Sequence, residues 1–168
     1  VKAGIESLKI EGRMKTSSYL AQVVDVYATA LADVRAKTFR PKLYWRELAL
    51  SSTRSLCTGF FLPGRRKRLF TPVQDQLQAP VVAKIISQEH QNAWRVSVRH
   101  KWVADHPVQI VVPGLRRPGI APTDYGLETP NGTHTPVLHS GQEGILRSEH
   151  PELRAGLMLR LSPMHSDL

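Results

Sequence analysis

The sequence predicts an α+β chain: one strand and helix of a parallel α/β sheet or barrel, a second short helix and connector, then a small antiparallel β-barrel. Three observations predict it. Residues 4–11 alternate in hydrophobicity and lead into an amphipathic helix. Ten of the 12 prolines fall after residue 68, among short alternating segments. The whole charge excess sits between these two parts. With 168 residues, 41% of them hydrophobic and 22% charged, the chain has enough apolar material for a packed core.

In Gly4 to Glu11, Leu8 and Ile10 alternate with Ser7, Lys9 and Glu11, the period of two that a strand requires. Gly12 breaks the strand, and Thr16, Ser17 or Ser18 caps the helix that follows. Leu20, Val23, Val24, Tyr27, Leu31 and Val34 form its apolar stripe. One strand and one helix cannot bury both apolar faces, so the unit belongs to a larger α/β sheet or barrel upstream. Val1 in place of Met, with no signal peptide before it, leads us to expect part of a longer cytoplasmic protein.

Pro41 opens a second helix over residues 41–51, with Leu43, Leu48 and Leu50 on its apolar side. Residues 52–64 are a turn-rich connector and residues 65–79 a basic, proline-punctuated linker. The expected divisions are therefore 1–64, 65–79 and 80–168. Strands are expected at Val81–Ser87, Trp94–His100, Val108–Val112, Glu143–Arg147 and Gly156–Leu161, with a tight turn at Asn131-Gly132. In the second strand Trp94, Val96 and Val98 point one way, and Arg95, Ser97 and Arg99 the other.

The formal net charge of +9 is local. Residues 1–34 and 69–168 are each balanced. Residues 35–68 carry Arg35, Lys37, Arg40, Lys42, Arg46, Arg54, Arg65, Arg66, Lys67 and Arg68 against Glu47 alone. Such a run attracts polyanions, and we expect it to contact an RNA backbone, chiefly through Arg65, Arg66, Lys67 and Arg68. The alternative is an idle solvated face.

If Leu8 and Ile10 face covering helices, then Lys9 and Glu11 face the barrel interior near a strand's C-terminal end, where such folds place their chemistry. Arg13 and Lys15, before a helix N-terminus, add charge-assisted bonds to a carboxylate or phosphate. The competing view is a Lys9–Glu11 ion pair that fills the barrel mouth. The seven histidines follow residue 68 without metal-ligand spacing, so no metal site is expected. The single Cys57 excludes an internal disulfide and any all-cysteine cluster site within this chain, and is expected to be chemically idle. Asn131-Gly132-Thr133 fits a glycosylation sequon, but a hairpin turn explains it better. No apolar run reaches the roughly 20 residues that cross a bilayer.

The string Gly4-Ile5-Glu6-Ser7-Leu8-Lys9-Ile10-Glu11-Gly12-Arg13-Met14-Lys15, with Tyr19, Val23 and Tyr27 after it, closely resembles the signature of the U32 peptidase family. This group is also called collagenase-like proteases, and it includes prephenate-dependent tRNA uridine hydroxylases. Glu47-Leu48, Arg54 and Thr58-Gly59-Phe60-Phe61 are similar to a second block of the family. Residues 80–161 are similar to its closing β-barrel, with His100 and Trp102 where the family tends to show Asn and Phe, and Val103 to Pro107 in place of a Gly-Asp turn.

The resemblance implies that residues 4–34 are the last strand and helix of a TIM-type barrel missing from this chain. It implies RNA hydroxylation with prephenate and an iron–sulfur cluster whose cysteines lie upstream. The family's other activity, proteolysis, is a rival, as is a non-catalytic RNA- or partner-binding module. In the hydroxylase reading Lys9 and Glu11 are the catalytic candidates, with Glu11 orienting Lys9 or Arg13 or acting as a base. Arg13 and Lys15 bind the anion, and tRNA lies along residues 35–68.

Overall fold

The computed structural model describes residues 4, 6–52, 56 and 78–163. Helix α1, Ser17–Ala36, begins where the hydroxyl of Thr16 accepts a hydrogen bond from the Tyr19 N–H at 3.2 Å. It ends at Lys37, which adopts a left-handed φ of 61° and returns its N–H to the last turn. Helix α2, Pro41–Leu50, starts on the proline that presets its φ. Asp33 ties the two helices together by accepting from the Arg40 guanidinium and from the Tyr44 hydroxyl. Those two donors hold its carboxyl below the usual carboxylate range, the Tyr44 hydrogen bond contributing most.

Nine strands follow: β1 Val81–His90, β2 Ala93–Val98, β3 Trp102–Val103, β4 Val108–Val111, β5 Gly119–Ile120, β6 Gly126–Glu128, β7 Val137–Leu138, β8 Glu143–Arg147 and β9 Met158–Leu161. Seven form one antiparallel sheet in the order β5-β4-β9-β1-β2-β8-β6, and β3 pairs with β7. Register shifts in β1, between Ile85 and Ser87 and between Gln88 and His90, curl the sheet into a half-barrel. The expected alternation in β2 is present: Trp94, Val96 and Val98 are buried, while Arg95 and Ser97 face outward.

The half-barrel closes over Trp102, which is fully buried. Its indole N–H donates to the Tyr125 hydroxyl at 3.2 Å, and that hydroxyl donates to the His106 carbonyl at 2.7 Å. Val82, Ile85, Val96, Val98, Ile110, Leu127, Leu146 and Leu159 pack around it. Gly144 is required by close approach, since a Cβ there would sit 2.5 Å from Leu138 Cδ1 and 3.0 Å from the Glu128 carbonyl. Gly132 has a φ of 80° in the turn expected at Asn131-Gly132.

Two expectations are corrected. No strand forms among the described residues of 4–11. A strand is a hydrogen-bonded partnership, and no described strand lies alongside this segment. Also, the face of α1 that is buried carries Gln22, Val23 and Val26, while Val24, Tyr27 and Leu31 are 50%, 41% and 42% exposed. The helix meets the β-unit through Gln22, Asp25 and Val26 and leaves much of its apolar stripe uncovered.

Candidate functional site

The four charged residues of the family-like segment are presented together and exposed. Lys9, Glu11, Arg13 and Lys15 all reach solvent. A turn at Arg13-Met14, in which the Lys15 N–H reaches the Gly12 carbonyl at 3.1 Å, brings the segment to the start of α1. A Glu11 carboxylate oxygen accepts from the Arg13 N–H at 2.6 Å, and the Lys15 ammonium lies 5.2 Å from the Tyr19 ring centre. Among the described residues no ion pair joins Lys9 to Glu11. Leu8 is 56% exposed and Ile10 is half-buried, so described residues cover the apolar side of this segment only in part. Arg65, Arg66, Lys67, Arg68, Cys57 and the block Thr58 to Phe61 lie outside the described residues.

The strongest electrostatic feature was not singled out by sequence reasoning. It lies where the helices meet the sheet. Arg160 on β9 has a side chain only 1% exposed. One of its terminal nitrogens donates to Glu47 Oε1 at 2.9 Å. The other donates to Glu47 Oε2 at 3.0 Å and to Gln22 Oε1 at 3.3 Å. Its Nε donates to Gln109 Oε1 on β4 at 3.0 Å. Arg117, in the turn between β4 and β5, donates to Glu47 at 3.0 Å and to Asp25 at 3.0 Å, and its remaining nitrogen reaches the Val112 and Arg116 carbonyls at 2.8 Å. Asp25 also accepts from the Gly114 N–H at 2.7 Å and the Leu115 N–H at 3.3 Å.

Two carboxylates thus meet two arginines with no net charge. Burial pushes the Glu47 carboxyl up, but Arg160 and Arg117 together outweigh it and hold the group below its ordinary value of 4.5. Burial likewise pulls the Arg160 guanidinium down, and Glu47 opposes that pull. A small apolar patch of Val26, Tyr44 and Leu115 flanks the network. Buried ion pairs of this kind fix orientation more than they add stability, because desolvation offsets much of the attraction. A signal existed in the sequence. Glu47 is the lone acid in the basic run, and Arg160 interrupts the apolar strand Met158-Leu159-Arg160-Leu161.

Beside this junction a cleft of about 300 Å³ opens between the start of α1, the end of α2 and the β1–β2 hairpin. Ser17, Ser18, Lys84, Arg99 and His100 are among its lining residues. Arg99 and His100 are placed there because both of their N–H groups reach the Val82 carbonyl, at 2.7 and 3.2 Å. Among the described residues no group of three or more His, Cys, Asp or Glu side chains converges as metal ligands would. No described helix is long and apolar enough to cross a membrane.

An exposed charged segment, a charge-paired helix junction and a curled antiparallel sheet define a helix–barrel chain with family-specific sequence at one end. Residues 1–70 match the model of Peptidase family U32. It is 37% identical over 67 residues to tRNA hydroxylation protein P of Helicobacter pylori (strain ATCC 700392 / 26695), covering 40% of this chain and 16% of that protein. It is 39% identical over 75 residues to tRNA hydroxylation protein P1 of Bacillus subtilis (strain 168), covering 42% and 18%. The chain thus spans less than a fifth of the length of these relatives. Among solved structures it is similar to the C-terminal domain of a Geobacillus thermoleovorans protein described as a U32 peptidase. That likeness has a TM-score of 0.42 and 10% identity, and covers 49% of this chain and 91% of the other.

Proposed function

We propose that this chain is the C-terminal part of a U32 protein that hydroxylates tRNA. The observation that carries the reading is the 37–39% identity, over the part holding the charged segment's family match, to proteins named for tRNA hydroxylation. Residues 4–34 are, in this reading, the last strand and helix of a TIM-type barrel. The exposed apolar side chains Leu8, Val24, Tyr27 and Leu31 support it, since they are the groups a neighbouring strand and helix of such a barrel cover. The barrel then supplies the strand partner that residues 4–11 lack.

Within the completed barrel, Arg13 takes a carboxylate of prephenate bidentately, and Lys9 and Lys15 add positive charge. Glu11 positions the Arg13 backbone by accepting from its main-chain N–H, and is the candidate base. The basic stretch 35–68 holds the tRNA backbone, with Arg65, Arg66, Lys67 and Arg68 as its densest part. An iron–sulfur cluster does not fit this chain, because one cysteine cannot supply a four-thiolate set. Any cluster of the whole protein is held by residues elsewhere, and no step is assigned to it here.

The test is nucleoside mass spectrometry of tRNA from cells in which the gene carrying this chain is deleted and then restored. Loss of a hydroxylated uridine on deletion, and its return on restoration, is the expected result. An unchanged nucleoside profile in the deletion strain overturns the reading.

A further inference from the structure

The outer face of α2 leaves its tryptophan in solvent. Of the three tryptophans, Trp94 and Trp102 are 8% and 0% exposed, and each donates its indole N–H inside the molecule, to the Ser148 carbonyl at 3.3 Å and the Tyr125 hydroxyl at 3.2 Å. Trp45 is 54% exposed, and among the described residues its N–H has no acceptor and its ring no aromatic neighbour. The helix turns Tyr44, Glu47 and Leu50 to the interior, which puts Trp45 on the opposite side. Lys42 is a surface neighbour of Trp45 and of Arg46, at three and four residues along the helix. Both cations are exposed and make no ion pair among the described residues. The nearby acids are turned inward. Asp33 accepts from Arg40 and Tyr44, and Glu47 is 5% exposed against Arg160 and Arg117. From residue 34 to residue 50 no acidic side chain is exposed, whereas Arg35, Lys37, Lys42 and Arg46 all are.

A run of exposed cations alone is a solvated face. The ring among them adds a second, independent feature. Cations draw a phosphate backbone, and an open π-face takes a base. A single strand offers both at once, while a duplex keeps its base faces stacked on one another. A protein surface laid over the same face would have to strip water from two unpaired cations. We infer that Trp45 stacks an unpaired base of a single-stranded RNA segment whose phosphates lie against Lys42 and Arg46. Phe39, 53% exposed, is the lesser candidate, because its ring already leans on Tyr44 with 5.0 Å between centres. The inference rests on the proposed encounter with tRNA and deepens it: the stretch 35–68 then holds bases as well as backbone charge. Stacking accepts any base, so this face grips the strand without choosing its sequence.

The test uses the whole protein that carries this chain and three labelled probes, read by fluorescence anisotropy: an unstructured RNA dodecamer, the same backbone with abasic riboses, and the dodecamer paired into a duplex. We expect the dodecamer to bind more tightly than the abasic strand of equal charge. Trp45→Ala weakens the dodecamer about tenfold, within the range of one stacked base, and leaves the abasic strand, the duplex and the salt slope unchanged. Trp45→Phe keeps most of the affinity, whereas Trp45→Leu, with apolar bulk but no π-face, does not. The pair Lys42→Gln, Arg46→Gln lowers the salt slope by about 1.4, for two lost phosphate contacts on a single strand. Equal affinity of Trp45→Ala and the native protein for the dodecamer overturns the stacking and leaves the phosphate contact of residues 35–68 standing. A loss as large on the abasic strand or the duplex also overturns it, since something other than base stacking has then been removed. A protein that binds none of the probes overturns the inference and the RNA contact together, whereas the hydroxylation reading is judged separately by the tRNA nucleoside profile.

Discussion

Replacing Glu47 with alanine removes the carboxylate that, alone among the described residues, contacts both arginines at the helix–sheet junction. Arg160 has a side chain 1% exposed and Arg117 one 8% exposed, so neither can turn to solvent when its partner is lost. Among the described residues Arg160 keeps the neutral oxygens of Gln22 and Gln109, and Arg117 keeps Asp25 and two carbonyls. Breaking one side of a buried pair in this way costs about 3–5 kcal/mol, because a charge is left desolvated without compensation. The loss falls on the contact between helices and sheet rather than on the Trp102 core. In native-state hydrogen exchange, the Glu47→Ala chain therefore loses protection across α1 and α2 while β1, β2, β8 and β9 stay protected. The double variant Glu47→Leu, Arg160→Met recovers part of the stability, since it removes the desolvated Arg160 charge while Arg117 keeps Asp25. A Glu47→Ala chain whose helices exchange as slowly as the native ones refutes the reasoning, and shows that the Val26, Tyr44 and Leu115 patch suffices to hold the junction.

Further outcomes follow from the same geometry. Glu47 is held below its ordinary value of 4.5 in the folded chain, so its contribution is present above that value and is lost as the pH falls through the lower, folded value; an acid titration followed by helix-amide exchange should show the helices releasing before the half-barrel. Gly144→Val should cost on the order of 1–3 kcal/mol or more in urea unfolding, because its Cβ would meet Leu138 and the Glu128 carbonyl inside hard contact. Trp102→Leu should cost on the order of 3 kcal/mol by the same assay and leave the Tyr125 hydroxyl without its indole donor, with near-ultraviolet dichroism lost in proportion.

The strands legible in the sequence were those of four or more residues, including β4 and β9, expected at Val108–Val112 and Gly156–Leu161. The strands expected at Val81–Ser87, Trp94–His100 and Glu143–Arg147 appear as Val81–His90, Ala93–Val98 and Glu143–Arg147, and the second alternates as expected. β3, β5 and β7 span two residues each, too few to carry any period, and are fixed only by their partners across the sheet. The N-cap of α1 was legible as Thr16, Ser17 or Ser18, because the chemistry of capping is local. Its buried face was legible only at Val23. Hydrophobicity marked Val23, which is buried, but also Val24, Tyr27 and Leu31, which are exposed, whereas Gln22 and Asp25 contact arginines far along the sequence. The same distance hid the junction: Glu47 stood out for its charge, but nothing local tied it to Arg160, which lies 113 residues on. The charged segment was read from its letters, and the structure adds its exposure, its Glu11–Arg13 bond and its place at the mouth of α1.

The most direct measurement of the functional account is the tRNA nucleoside profile of cells whose only copy of the whole protein carries Arg13→Ala. The account predicts a stable protein and a hydroxylated uridine reduced to the level of the gene deletion, because the guanidinium that takes the carboxylate is gone. A hydroxylated nucleoside at the wild-type level, with Arg13→Ala expressed normally, contradicts it.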